Sequence, residues 1–62
     1  MSVRATERLL GEIVYVPYLS GSPKMTVIEI DEDSKLITTS WFDKNNAYQE
    51  GVFHAKALDR AD

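Results

Sequence analysis

Lys35-Leu36-Ile37-Thr38-Thr39-Ser40-Trp41-Phe42, Asp43-Lys44-Asn45-Asn46 and Tyr48-Gln49-Glu50-Gly51-Val52-Phe53 are the segments whose reading decides the fold. The first is rich in β-branched and aromatic residues and reads as a strand. The second is a turn, because Asn and Asp bond their own backbone and tolerate positive φ. The third is a second strand, so the whole is a hairpin. Successive side chains on a strand point to opposite faces. If Ile37, Thr39 and Trp41 point inward, Phe42 points outward. With Gly51 and Phe53 inward, Tyr48 and Val52 point outward.

Upstream, Met25-Thr26-Val27-Ile28-Glu29-Ile30 is another strand, joined to the hairpin by the polar connection Asp31-Glu32-Asp33-Ser34. Its pattern changes phase. Met25 and Val27 share one face, and Ile28 and Ile30 share the other. A bulge or strong bend near Ile28 is expected to bring all four to one core. Before it, Ile13-Val14-Tyr15-Val16 forms a first strand that Pro17 ends. Val14 and Val16 then face the core and Tyr15 faces out. Leu19-Ser20-Gly21-Ser22-Pro23 is loop chemistry. Downstream, His54 to Lys56 predicts a 3₁₀ turn, and Ala57-Leu58 a very short fifth strand followed by a charged tail. Residues 1–10 lack alternation and read as a short helical turn or an N-terminal arm.

These elements define an all-β chain, a small five-stranded SH3-like barrel over residues 11–60 with an N-terminal arm over 1–10. At 62 residues such a domain buries only about 60% of the surface its unfolded chain exposes. Most large apolar side chains are therefore needed inside, and self-association would add stability.

Several residues also carry a resemblance. Gly11-Glu12 precedes an apolar strand, Ser20-Gly21-Ser22-Pro23 fills the first loop, and Met25-Thr26-Val27 follows. Trp41-Phe42-Asp43, Gln49, Phe53 and Ala57-Leu58 come later. Together they resemble the YodC-like family of small bacterial proteins, over residues 11–58. The chain departs from that pattern in its first loop. The loop is longer around Pro17 and Tyr18, has Ser22 where a second glycine is usual, and lacks the loop lysine. The resemblance implies the fold and a cytoplasmic bacterial setting. That family has no established activity to carry over.

Composition narrows the chemistry. The absence of cysteine excludes disulfides, thiolate zinc sites and cysteine nucleophiles. It also favours a reducing cytoplasm over secretion. No apolar run has the length of a signal core or a membrane span. The net charge of −3 disfavours nucleic acid, whose binding relies on neutralised phosphates. Arg4, Arg8, Lys24, Lys35, Lys44, Lys56 and Arg60 form no run, although folding can gather distant cations on one face.

Catalytic equipment is sparse. His54, the only histidine, reads as a surface residue at a strand end, with no serine in a nucleophile-elbow setting to serve. The acidic group Glu29, Asp31, Glu32 and Asp33 reads as a solvated turn, because a calcium loop needs a glycine and another spacing. Ser20-Gly21-Ser22-Pro23 lacks the Gly-Lys-Ser/Thr of a phosphate loop. No enzyme, metal or cofactor is expected. The outward aromatics are more informative, since a contiguous exposed apolar patch marks an interaction surface. Tyr15, Tyr18, Phe42 and Tyr48 are the candidate binding residues. The expected function is a non-catalytic binding module for a protein partner or a second copy. The alternative is a nucleic-acid-associated accessory domain.

Overall fold

The computed structural model describes residues 2–61. Five strands form one antiparallel sheet: β1 (Ile13–Tyr15), β2 (Met25–Asp31), β3 (Leu36–Phe42), β4 (Tyr48–His54) and β5 (Asp59–Arg60), in the order β4-β3-β2-β1-β5. The two end strands, β4 and β5, do not pair with each other, so the sheet is not closed by hydrogen bonds. Two 3₁₀ turns, Glu7–Leu9 and Ala55–Ala57, complete the regular structure.

The inner face carries Val14, Met25, Val27, Ile37 and Leu58, all essentially inaccessible to water, with Trp41, Phe53 and Ile30 packed against them. Thr39 is the only buried polar residue among those described, and it is satisfied. Its Oγ1 donates to the Gly51 carbonyl at 3.1 Å and lies 3.5 Å from Met25 Sδ. That bond ties β3 to β4 from inside the core. A buried hydroxyl without a partner would instead cost about 1–3 kcal/mol.

The phase change of β2 is a bulge. Val27 pairs with Thr39 and Glu29 pairs with Thr38, so Ile28 is the extra residue. Inserting one residue flips the parity, which sets Ile30 opposite Ile37 on the core side. It does not bring Ile28 inward. Ile28 is exposed, against the expectation that all four apolar residues share one core. A parity flip can rescue the residues on one side of the bulge, but the inserted residue itself has no partner position to fill.

Several boundaries also differ from the sequence reading: β1 stops at Tyr15 and leaves out Val16, β2 and β4 run on to Asp31 and His54, and the second 3₁₀ turn covers Ala55–Ala57 where His54 to Lys56 is expected. Lys35 belongs to the turn before β3, with φ of 64°. Ala57 closes the second 3₁₀ turn and Leu58 is a buried connector, so the fifth strand is the next pair, Asp59–Arg60. This strand is recruited by its neighbour: Val14 pairs with Arg60, Tyr15 with Asp59, and the Ala61 N–H donates to Ile13 O at 3.0 Å. Two charged residues carry no strand signal of their own, and pairing with β1 decides their conformation.

Val3, Ala5 and Leu9 are docked on the sheet. The Val3 N–H donates to the Leu58 carbonyl at 2.9 Å, and Ala5 and Leu9 are buried in the core. The 3₁₀ turn at Glu7–Leu9 aims Leu9 at the sheet, and the Gly11 N–H then donates to Val27 O at 2.9 Å. In so small a domain these two side chains enlarge a core with few other sources.

Candidate interaction surface

Phe42 and Tyr48 end the two long strands of the hairpin and are directly paired across it. Strand parity sends both to the outer face, where they are 66% and 53% exposed. Their rings meet edge to face, with centroids 5.6 Å apart and planes at 67°. Aromatic pairs favour this geometry because the positive edge of one ring meets the negative face of the other.

The adjoining turn holds the pair in position. Asp43 Oδ1 accepts from the Asn45 N–H at 2.8 Å and the Ala47 N–H at 3.0 Å, while Oδ2 accepts from Gln49 Nε2 at 3.0 Å. These bonds favour the carboxylate and hold Asp43 below its ordinary value, with the Ala47 amide the largest cause. Asn46 supplies the positive φ, 61°, that the turn requires. The Tyr48 hydroxyl donates to Glu50 Oε2 at 2.8 Å. That bond chiefly raises the phenol above its ordinary value, because losing the proton would leave two negative oxygens in contact.

The other two candidate residues lie apart from this pair. Tyr15 is half-buried on β1 and shares a groove of about 300 Å³ with Ser22, Lys24 and Arg60. The registers of β1 with β2 and of β2 with β3, continued toward Lys24, align it between Tyr15 and Phe42. Tyr15 is thus separated from the pair by the width of one strand. Tyr18 projects from the first loop, 83% exposed, beside exposed Leu19. That loop is folded on itself, with the Val16 N–H donating to Ser22 Oγ at 2.9 Å and the Ser22 N–H to Leu19 O at 3.2 Å.

A second exposed region lies at the opposite end of the hairpin. Leu36 and Val52 line a shallow groove of about 470 Å³ with Glu29, Asp31 and Glu32, and Ile28 is exposed close by in the chain. The strand period reads Val52 as outward, whereas Ile28 is expected in the core and Leu36 is not among the candidate residues. Counting parity backward from Trp41 would have found Leu36. Asp31 Oδ1 accepts from the amides of Asp33 at 3.0 Å and Ser34 at 3.4 Å. Bonding to Ser34, side chain first, lowers its pKa.

The fold also gathers cations that are remote in sequence. Arg4, Lys35 and Lys56 line one groove of about 420 Å³ with His54. His54 Nδ1 accepts from the Lys56 N–H at 3.1 Å and caps the second 3₁₀ turn. Among the described residues no three His, Cys, Asp or Glu side chains are grouped to hold a metal ion, and no helix is long and apolar enough to cross a membrane. Comparison of the chain with protein-family models, with curated proteins and with solved structures finds no match in any of the three.

Proposed function

We propose that this chain is a small non-catalytic binding module that recognises a protein partner through its exposed aromatic face. The Phe42–Tyr48 pair carries the reading. Two large rings held in contact with each other, on a turn fixed by Asp43, offer a preorganised apolar surface in water. Aromatic anchors of this kind dominate protein interfaces because they bury much area with few rotatable bonds. Catalysis is a poor fit, since the Nδ1 of the single histidine is engaged in capping a turn.

The fold we propose is an SH3-like barrel. The order β4-β3-β2-β1-β5, with a 3₁₀ turn leading into a two-residue last strand, supports it. Membership in the YodC-like family and a cytoplasmic location are part of the same reading. They rest on the residue pattern from Gly11 to Leu58 and on the lack of cysteine.

The test is a selection of displayed random peptides on the wild-type domain, with each hit measured against Phe42→Ala. Loss of one aromatic anchor should weaken binding about tenfold or more. If no selected peptide depends on Phe42, the reading fails. The second reading, an accessory domain that contacts nucleic acid, is favoured by the groove of Arg4, Lys35 and Lys56. Fluorescence anisotropy at low salt, with single-stranded and duplex DNA and RNA, tests it. Binding that falls with salt and is lost in Lys35→Glu/Lys56→Glu would support it, and no binding would remove it.

A further inference from the structure

We propose that the outer edge of β4 pairs with the β4 edge of a second copy, antiparallel, about a two-fold axis at Gly51. This inference rests on the reading of the chain as an interaction module, but it uses a strand edge instead of the aromatic pair.

The backbone bonds at the two ends of the β3–β4 ladder fix which groups are free. The Ala55 N–H donates to Lys35 O, and the Asp43 N–H donates to Ala47 O, both in register. Antiparallel pairs alternate between bonded and non-bonded. Gln49, Gly51 and Phe53 therefore direct their backbone groups to β3. Tyr48, Glu50, Val52 and His54 direct theirs outward, where the sheet has no further strand. An edge of this length invites another strand unless it is protected by Lys, Pro, a bulge or a cover. β4 spans seven residues, its register with β3 is unbroken, and it contains neither Lys nor Pro. The opposite edge differs. β5 has two residues, and the connector before it is engaged by the Val3 N–H.

The side chains of β4 suit a second copy. Core-side residues must face core-side residues, so the axis falls on a residue and not between two, and only the centres Glu50, Gly51 and Val52 pair five or more residues of the strand. Centring on Glu50 sets two carboxylates face to face. Centring on Val52 pairs only residues 50–54. Centring on Gly51 pairs all seven, with Glu50 opposite Val52 and Tyr48 opposite His54. It also places Gly51 against Gly51 at the closely spaced, non-bonded position. The four outward residues of each strand then form about eight new backbone bonds. The half-buried Phe53 gains Gln49 of the second copy as its neighbour on the core side.

Sedimentation equilibrium of the full chain at micromolar concentration tests the proposal, with folding of each variant checked by near-ultraviolet dichroism of Trp41. Wild type should approach twice the 7.0 kDa chain mass. Val52→Glu sets carboxylates opposite each other twice and should weaken the dimer about tenfold. Adding Glu50→Lys to it should restore the wild-type mass, a rescue that only the Gly51-centred register gives. Phe42→Ala should remain dimeric. A monomeric wild type overturns the proposal, as does a dimer indifferent to Val52→Glu. A dimer lost in Phe42→Ala but kept in Val52→Glu also overturns it, while leaving the aromatic surface of the proposed function standing.

Discussion

The two faces of β3 are made of similar material and do different work. Ile37, Thr39 and Trp41 face inward, while Leu36, Thr38, Ser40 and Phe42 face outward. Each side has a large apolar residue, an aromatic and a threonine. On the inner side Ile37 and Thr39 are inaccessible to water, Thr39 is bonded to β4, and Trp41 packs on the core. On the outer side Leu36 and Phe42 remain exposed, and the contact between Phe42 and Tyr48 is one of display. Burial needs apolar neighbours, and on the inner side the described chain supplies Ala5, Leu9, Val14 and Leu58. Among the described residues no element covers Phe42 and Tyr48 at the outer end of the hairpin. The inner face should therefore govern stability and the outer face association.

The most severe way to probe the inner side is Ile37→Ala. Removing a fully buried isoleucine loses its transfer energy and leaves a cavity, which should cost about 2–5 kcal/mol. Urea unfolding followed by Trp41 fluorescence would report it, and a loss below about 1 kcal/mol would contradict the core assignment.

Gly51→Ala strikes the same face more gently. A Cβ at Gly51 would lie 3.0 Å from Phe53 Cε2 and 3.1 Å from Trp41 Cη2. Both rings are half-buried and can shift, so overpacking should cost about 1–3 kcal/mol. The same urea titration measures it. A neutral result would show that the two rings do not close over the glycine.

Asp43 links the faces through its turn. Its carboxyl titrates below the ordinary 3.8 in the folded state. The stabilisation is fully present above 3.8 and is lost as pH falls below it, through the lower folded value, because the unfolded chain takes up the proton first. Asp43→Asn should flatten the part of the melting temperature's acid decline that falls below pH 3.8. Asp31 is lowered in the same direction by Ser34 and Asp33, so the double replacement should flatten it further. An unchanged pH profile in Asp43→Asn would remove the carboxylate from the account of the turn.

Phe42→Ala should have the smallest effect on folding. Its ring is 66% exposed, and surface changes usually stay within about 0.5 kcal/mol. Thermal unfolding within that range, combined with lost partner binding, would separate the faces cleanly. A large destabilisation would mean that the outer aromatics help hold the hairpin together.

The strand period by itself assigned Ile37, Thr39, Trp41, Gly51 and Phe53 to one face and Phe42, Tyr48 and Val52 to the other. That worked because a strand has a fixed repeat of two, and these strands contain no irregularity. The turn at Asp43-Lys44-Asn45-Asn46 was equally legible, because its side chains bond their own backbone. The bulge could be placed at Ile28 from the change of phase, yet the fate of Ile28 could not, since the flip says nothing about the inserted residue. The fifth strand was misplaced for a related reason: Asp59 and Arg60 become a strand only because β1 offers a bonding edge.

The sequence thus determined the elements that local chemistry specifies, namely the hairpin, its turn, the first strand and which aromatics point outward. Tertiary structure alone decided what depends on neighbours distant in the chain. It docked Ala5 and Leu9 into the core, brought Phe42 into contact with Tyr48 while leaving Tyr15 a strand away, gathered Arg4, Lys35 and Lys56, and left β4 as an open edge. Alternation is a property of one strand and can be read from it. Adjacency and exposure depend on which strands the folded chain lays beside each other, and no single segment encodes that.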